Sequence, residues 1–271
     1  MKNISILGCG WMGLPLAKSL IANGFLVKGS TTSLEKISLL QNAGIDAFQI
    51  ALSENKISGE IVSFLSNSEI LLIDIPPKLR GNASENFVAK IKTLLPFIEK
   101  STIQRVIFVS STSVYADKNP STALRVTESN KPQPDTESGK QLVEAEQILQ
   151  SHSNFKTTVV RFGGLIGEDR HPILFLAGRQ NIENPEAPIN LIHQTDCIGI
   201  IERIIEKDCF GETFNSVTPF HPSRKEYYTQ KAKALGLSMP EFDENKPSVG
   251  KTVLSDKVET FLGYEFQNKT L

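Results

Sequence analysis

The spacing of Gly8, Gly10 and Gly13 constrains this chain more than any other feature. These glycines follow the apolar run Ile4-Ser5-Ile6-Leu7 and precede the amphipathic segment Leu14 to Leu20. The order reads as a buried strand, a tight turn and the start of a helix. In G-x-G-x-x-G the first glycine allows the turn, the second lets backbone approach a pyrophosphate, and the third lets the helix pack closely on the strand. The helix N-terminus adds N–H groups and a partial positive charge. A second strand-like run, Phe25 to Gly29, completes a βαβ unit. A dinucleotide is therefore expected on Gly8, Gly10, Trp11, Met12 and Gly13. The Trp11 backbone would face phosphate while its ring packs aside. Cys9 reads as a small packing residue.

The alternation continues for about 165 residues. Short apolar runs at Ile4–Leu7, Leu26–Gly29, Ala47–Ile50, Ile70–Ile75, Arg105–Ser110 and Thr157–Phe162 read as buried parallel strands. Helical spacing lies between them, at Leu14–Ala22, Leu34–Ala43 with Ser33 as N-cap, Ile57–Leu65, Ser84–Ile98 and Glu137–Leu149. The pattern predicts an α/β fold with a Rossmann-type doubly wound parallel sheet, which takes ligands at the carboxyl ends of its strands. After Phe162 the rhythm breaks into a glycine-rich stretch and a polar, turn-forming one. Helix patterns return at Asp196–Lys207, Ser223–Leu235 and Val258–Leu262, and a strand pattern at Thr213–Val217. The expected organisation is a dinucleotide-binding core over residues 1–165. A small C-terminal cap or substrate region, residues 166–271, would be interleaved with the end of the core sheet.

Composition excludes several classes. The 271 residues carry a formal charge of −1, which gives no electrostatic case for nucleic acid or an anionic membrane. No apolar run reaches the roughly 20 residues of a membrane span. The N-terminus enters a strand at once, so no secretory leader is expected. Three scattered cysteines suit neither a disulfide framework nor a zinc site, and the four histidines show no metal spacing, so no metal is expected. A reducing cytoplasm is the expected compartment.

Several segments, in order, resemble one family. Besides the glycine loop they are Val106-Ile107-Phe108-Val109-Ser110-Ser111-Thr112-Ser113-Val114-Tyr115, Arg161-Phe162-Gly163-Gly164-Leu165-Ile166-Gly167, Asn190-Leu191-Ile192-His193-Gln194-Thr195-Asp196, Phe214-Asn215-Ser216-Val217 and Leu262-Gly263-Tyr264. The chain resembles the extended, epimerase/dehydratase-type short-chain dehydrogenase/reductases, in their atypical branch. The resemblance implies hydride transfer at a nicotinamide, with Ser, Tyr and Lys moving the proton and holding substrate and ribose. It places the serine role on Ser111, with Ser110 and Thr112 as neighbours, and Ser110 among the cofactor contacts. It places the lysine role on Lys140, which would also hold ribose hydroxyls. The tyrosine position, four residues before Lys140, is occupied by Thr136. A threonine hydroxyl is a far poorer acid than a phenol, whose ordinary pKa is about 10. Tyr115 and His193 take structural places in the family pattern, His193 with a cap-closing alternative.

For the cofactor, Gly29-Ser30-Thr31-Thr32-Ser33 offers no carboxylate for a ribose 2′-hydroxyl. Thr31, Thr32 and Ser33, aided by Lys36 or Lys28, suit a 2′-phosphate, so NADP is favoured over NAD. Pro76 and Pro77 end a strand where relatives show a similar pair lining the ribose side. Two functions follow. One is an NAD(P)-dependent oxidoreductase or epimerase-like enzyme acting on a carbonyl or hydroxyl of a small, sugar-nucleotide-like substrate. The other is a catalytically silent NAD(P)-binding sensor or scaffold, favoured by Thr136. Extended relatives often dimerise through sheet-flanking helices, which makes the helix near Glu137 a candidate homodimer face.

Overall fold

Ile4, Ser5 and Ile6 are wholly buried and Leu7 nearly so. A strand buried on both faces needs a strand on either side and a helical layer above and below. In the computed structural model, which describes residues 2–77, 85–117 and 124–271, β1 (Asn3–Leu7) has both neighbours. It pairs in parallel with β2 (Leu26–Thr31), Ile4 opposite Val27, and with β4 (Ile70–Ile73), Ile4 opposite Ile70. β3 (Asp46–Gln49), β5 (Arg105–Ser111), β6 (Lys156–Phe162) and β7 (Thr213–Ser216) complete a seven-stranded sheet of order β7-β6-β5-β4-β1-β2-β3. The order reverses between β1 and β4. That switch point opens a crevice beyond the strand ends, where doubly wound sheets take their ligands.

The helices follow the apolar spacing, with three differences. After α1 (Gly13–Ala22), the expected helix from Leu34 begins as a 3₁₀ turn, Leu34–Lys36, before α2 (Ile37–Asn42). Ser33 makes no side-chain cap bond there, and its hydroxyl is the main influence that lowers the Glu35 carboxyl pKa. The expected helix Ile57–Leu65 is two elements. Ile57–Ser58 pairs antiparallel with Ala51–Leu52, and α3 covers Ile61–Leu65. Gly59, at φ +98°, makes the break, because a Cβ there would stand 2.0 Å from the Gln49 carbonyl oxygen. α4 (Phe87–Glu99) starts at Asn86, whose side chain accepts from the Ala89 N–H at 2.9 Å. The expected start at Ser84 lies outside the described residues. Further on lie α5 (Glu137–Gln150), α6 (Ile173–Leu176), α7 (Gln194–Glu206), α8 (Arg224–Ala234) and α9 (Asp256–Thr260). Ser223 caps α8 as its position suggests, accepting from the Glu226 N–H at 3.2 Å.

The chain divides into two compact units. The first comprises Met1–Ser110, Glu137–Val160 and Ile201–Thr213, and the second Ser111–Thr136, Arg161–Ile200 and Phe214–Leu271. In the first, Phe87 stacks on Phe108, and the Phe87 N–H donates to Gln141 Oε1 at 2.7 Å, tying α4 to α5. In the second, Ile166, Ile173, Ile189, Leu191, Tyr227, Tyr228 and Ala232 form an apolar cluster.

Two buried polar groups organise the second unit. Asp196 is fully buried, and its carboxylate accepts from Tyr264 Oη at 2.9 Å, Gln267 N at 2.7 Å, Asn268 N at 3.2 Å and Asn268 Nδ2 at 2.9 Å. Gly199, on the same face of α7, leaves room for the Tyr264 ring, which a Cβ would meet at 2.6 Å. His171 accepts from the Ile173 N–H through Nδ1 at 3.1 Å, which leaves Nε2 to donate to Tyr227 Oη at 2.9 Å. Protonating Nδ1 would set two N–H groups against each other. Burial and nearby Lys231 hold the imidazole pKa down to about 4 from 6.5.

Asp196→Ala leaves four donors unmet and should cost about 3 kcal/mol, lowering the melting temperature by roughly 6–12 °C. Asp196→Asn, which keeps one acceptor, should fall between; a melting temperature unchanged in both would contradict the anchoring role. For His171, the neutral folded ring contributes stability that is complete above pH 6.5 and lost as pH falls towards 4. The urea midpoint of the native protein should therefore drop more steeply across that window than that of His171→Gln. Parallel curves would exclude it.

Candidate functional site

In the first unit, a cavity of about 220 Å³ opens at the switch point, beyond the ends of β1, β2 and β4. Gly8, Cys9 and Gly10 form one wall, Ser30, Thr31 and Thr32 another, and Asp74, Ile75 and Pro76 a third. The three glycines differ in what surrounds them. Gly8 sits at φ +110°, and a Cβ on it would lie 2.2 Å from the Asp74 carbonyl oxygen. A Cβ on Gly13 would lie 2.2 Å from the Gly8 carbonyl oxygen. A Cβ on Gly10 would meet nothing within 4 Å. Gly8 and Gly13 are thus glycines because the protein crowds them, while Gly10 borders open space. α1 begins here with no side-chain cap and no acidic residue in its first turn. That end suits an anion, so the loop fits a pyrophosphate. The loop is braced from β2: Gly8 N–H donates to Ser30 Oγ at 3.0 Å and Cys9 N–H to Ser30 O at 2.7 Å. Burial pushes the Cys9 thiol up to about 12, which makes it inert packing.

At the other end of the cavity, Thr31, Thr32 and Lys36 line the wall. Glu35, the nearest carboxylate in sequence, is engaged by Ser33, which holds its pKa below the usual range. Lys28 is not available to this cavity. Its ammonium donates to the carbonyls of Ser63 and Ser66, at 2.6 and 2.8 Å, and lies over the Phe48 ring. The expected choice between Lys36 and Lys28 therefore falls on Lys36. Pro76 lines the cavity, whereas Trp11, Met12, Gly13, Ser33 and Pro77 are not on its wall. Two lining residues carried no readable signal in the sequence: Asp74, at the end of β4, and Lys90, a buried α4 lysine paired with Glu85.

Ser110 and Ser111 are neighbours on a strand, where alternate side chains point to opposite faces. Ser110 is buried, and its hydroxyl donates to buried Glu146 of α5 at 2.6 Å. That hydroxyl has a structural partner. Ser111 belongs to the second unit and lines a cavity of about 310 Å³ with Asp117, Asn190, Arg224, Tyr228 and Lys251. Its Oγ accepts from the Ser113 N–H at 3.2 Å, and its own hydrogen goes to no acceptor among the described residues. A hydroxyl in that state can donate to a ligand carbonyl. Lys251 is an almost wholly buried lysine that donates to the Tyr115 carbonyl oxygen at 2.7 Å and pairs with Asp117. Only the fold reveals it, since nothing in its sequence neighbourhood separates it from a surface lysine.

Lys140 and Thr136 stand in the first and second units respectively, both exposed, at the start of α5. The Lys140 ammonium makes no hydrogen bond or ion pair among the described residues. Tyr115 is structural in every contact: its hydroxyl accepts from Arg161 Nη1 at 2.6 Å and lies 3.0 Å from Asn215 Oδ1. His193 also works locally, its Nδ1 meeting Thr195 Oγ1 at 2.7 Å at the head of α7. Among the described residues no group of three His, Cys, Asp or Glu side chains could hold a metal, and no helix is long and apolar enough to cross a membrane.

No family model matches the chain. It is 33% identical over 269 residues to Protein YeeZ of Escherichia coli K12, covering 98% of this chain and 96% of that protein. In fold it is similar to a conserved protein of unknown function from Silicibacter pomeroyi, at 20% identity and TM-score 0.79, covering 98% and 94% of the two chains. It is also similar to UDP-glucuronic acid 4-epimerase from Bacillus cereus, solved with UDP-glucuronic acid and NAD, at 17% identity and TM-score 0.78, with the same coverage. The sheet order, the glycine turn at its switch point and this likeness agree: the chain has the fold of the NAD-dependent epimerases and dehydratases of the short-chain dehydrogenase/reductase superfamily, and it belongs to one family with Protein YeeZ.

Proposed function

We propose that the protein binds a nicotinamide dinucleotide and uses it as an oxidoreductase or epimerase-like enzyme. Its substrate would be a carbonyl or hydroxyl compound of small, sugar-nucleotide-like character. One observation carries the reading: Gly10 alone of the three loop glycines faces open space, beside an uncapped helix N-terminus. A packing role would have crowded all three. The B. cereus epimerase, similar in fold, holds NAD and a UDP-sugar. Here the dinucleotide would supply or accept hydride. The glycine loop would hold its pyrophosphate, Pro76 would border it, and Lys140 would hold ribose hydroxyls. Ser111 would donate its unused hydrogen to the substrate oxygen.

Thr31, Thr32 and Lys36, two hydroxyls and a cation on the cavity wall beside β2, favour NADP over NAD. An ammonium–phosphate contact contributes about 1.5 kcal/mol, or roughly tenfold in affinity. The silent-binder reading rests on Thr136, a weak acid where the family resemblance implies a phenol.

Calorimetry should give a dissociation constant roughly tenfold lower for NADPH than for NADH. Lys36→Ala should erase that difference while leaving NADH binding unchanged. Equal or tighter NADH binding by the native protein would sink the NADP assignment. Gly10→Val should weaken either cofactor by about 1.4 kcal/mol or more at an unchanged melting temperature, because only the ligand's space is filled. Unchanged affinity would exclude the loop as the pyrophosphate site. Turnover of NADPH against aldehydes, ketones and sugar nucleotides should fall roughly 10²-fold in Ser111→Ala. Tight NADPH binding with no turnover on any of them would establish the silent binder.

A further inference from the structure

The cavity of about 310 Å³ in the second unit is selective in the hydrogen-bonding capacity its wall leaves unspent. Its amide and carboxylate acceptors are engaged. Asn190 Oδ1 accepts from the Val253 N–H at 2.8 Å, and Asn184 Oδ1 from the Val249 N–H at 3.0 Å. Asp117 pairs with Lys251. The donors are in the opposite state. Tyr228, on α8, is 6% exposed, with its ring edge-on to Tyr227 at a centroid distance of 5.2 Å. Its hydroxyl makes no hydrogen bond among the described residues, yet its oxygen is not among the fully buried unpartnered atoms. A buried phenol ordinarily finds a partner. Here the ring is fixed and the hydroxyl borders the cavity.

Arg224 stands four residues earlier on α8, hence on the same helix face, and lines the same cavity. Its Nη1 donates to the Glu183 carbonyl oxygen at 3.0 Å, which holds the guanidinium in place. Its other side-chain N–H groups make no hydrogen bond among the described residues, and it forms no ion pair there. The Glu183 carboxylate pairs with Lys246 instead. Among the charged side chains of the wall, Asp117 and Lys251 cancel each other, and Arg224 is left over. Burial pushes the Tyr228 phenol up and the Arg224 charge offsets part of that rise, so the two groups sense each other while the phenol keeps its proton at neutral pH.

We propose that this cavity binds an acid, and that Arg224 and Tyr228 hold its carboxylate or phosphate group. A guanidinium offers a pair of parallel N–H groups to the oxygens of such a group. The phenol donates to it as well. A neutral ligand would cover the guanidinium without supplying a counter-charge. The site lies wholly within the second unit. That its occupant is a substrate rests on the enzyme reading above, which it narrows to acidic carbonyl or hydroxyl compounds.

NMR titrations at low salt, with no dinucleotide present, test this with glucuronate, glucose 1-phosphate and glucose as probes. At least one of the two acids should bind roughly tenfold or more tightly than glucose. The tighter of the two identifies the group as carboxylate or phosphate. Added salt should weaken the acids and leave glucose unaffected. Arg224→Gln, which removes the charge, should bring the acids down to the affinity of glucose. Arg224→Lys, which keeps the charge and loses the fork, should fall between. Tyr228→Phe removes no hydrogen bond within the protein, so it should keep the native melting temperature while weakening the acids about fivefold. Glucose bound as tightly as the acids overturns the proposal. So does native affinity for the acids in Arg224→Gln or Tyr228→Phe, or a native protein that binds neither acid. Acids refused by a protein that binds NADPH sink this site alone; NADPH refused by a protein that binds the acids sinks the enzyme reading alone.

Discussion

The cleft at the switch point depends on two close approaches between backbones. The Gly8 carbonyl lies so near Gly13, and the Asp74 carbonyl so near Gly8, that a Cβ at either glycine would stand 2.2 Å from an oxygen. Interiors packed at crystal-like density do not absorb such overlaps; the turn would open and α1 would lift from the sheet. Two consequences follow from these contacts. The N-terminus of α1 is brought to the end of β1, and the end of β4 is brought against the same turn. The crevice between β1 and β4 is then narrow and edged by backbone, which is the geometry a pyrophosphate needs.

Much of this was legible in the sequence, because it is written in residues whose identity has a steric reason. All seven expected strands form within a few residues of their runs; β1 and β4 do so because burial on both faces demands continuous apolar side chains, whereas the edge strand β3 is only half-buried and is held by its pairing with β2. Failures came where local chemistry competed with periodicity. Ile57–Leu65 has helical spacing, but Gly59 imposes a positive φ that spacing does not register. Ser33 has the composition of an N-cap, but its side chain caps no helix N–H, and the chain enters a 3₁₀ turn there instead. Lys28 and Lys36 are equivalent in sequence near β2. The strand direction turns Lys28 towards Ser63 and Ser66, contacts more than thirty residues away, and leaves Lys36 on the cavity.

The chemistry-bearing residues were less legible, for a related reason. A serine, tyrosine or lysine is defined by which of its hydrogen-bonding capacities the fold leaves unspent, and that depends on distant partners. Ser110 and Ser111 are adjacent and identical, yet one donates to buried Glu146 and the other keeps its hydrogen. Three of four tyrosine hydroxyls are consumed by Asn215, His171 and Asp196, at sequence separations of 100, 56 and 68. Asp196 and Asn215 sit in segments that the family resemblance singled out, and the structure gives both of them architectural work.

That accounting changes what the threonine at position 136 means. Losing a phenol from its usual place removes catalysis only if no other group offers a proton from a fixed and open position. Local sequence suggested none, because Tyr227 and Tyr228 lie on a helix of the C-terminal part, well past the sheet's motifs. The fold buries both rings but binds only the hydroxyl of Tyr227. A fixed ring with a free hydroxyl is an unusual state for a core tyrosine, since buried phenols ordinarily find a partner. At Tyr228 the side chain borders a cavity, and burial raises the phenol's pKa while the Arg224 charge offsets only part of that rise. The dinucleotide binding proposed for Gly8–Gly13 and the proton transfer that the family resemblance assigns to the position of Thr136 are therefore separate questions, resting on different residues of the scaffold.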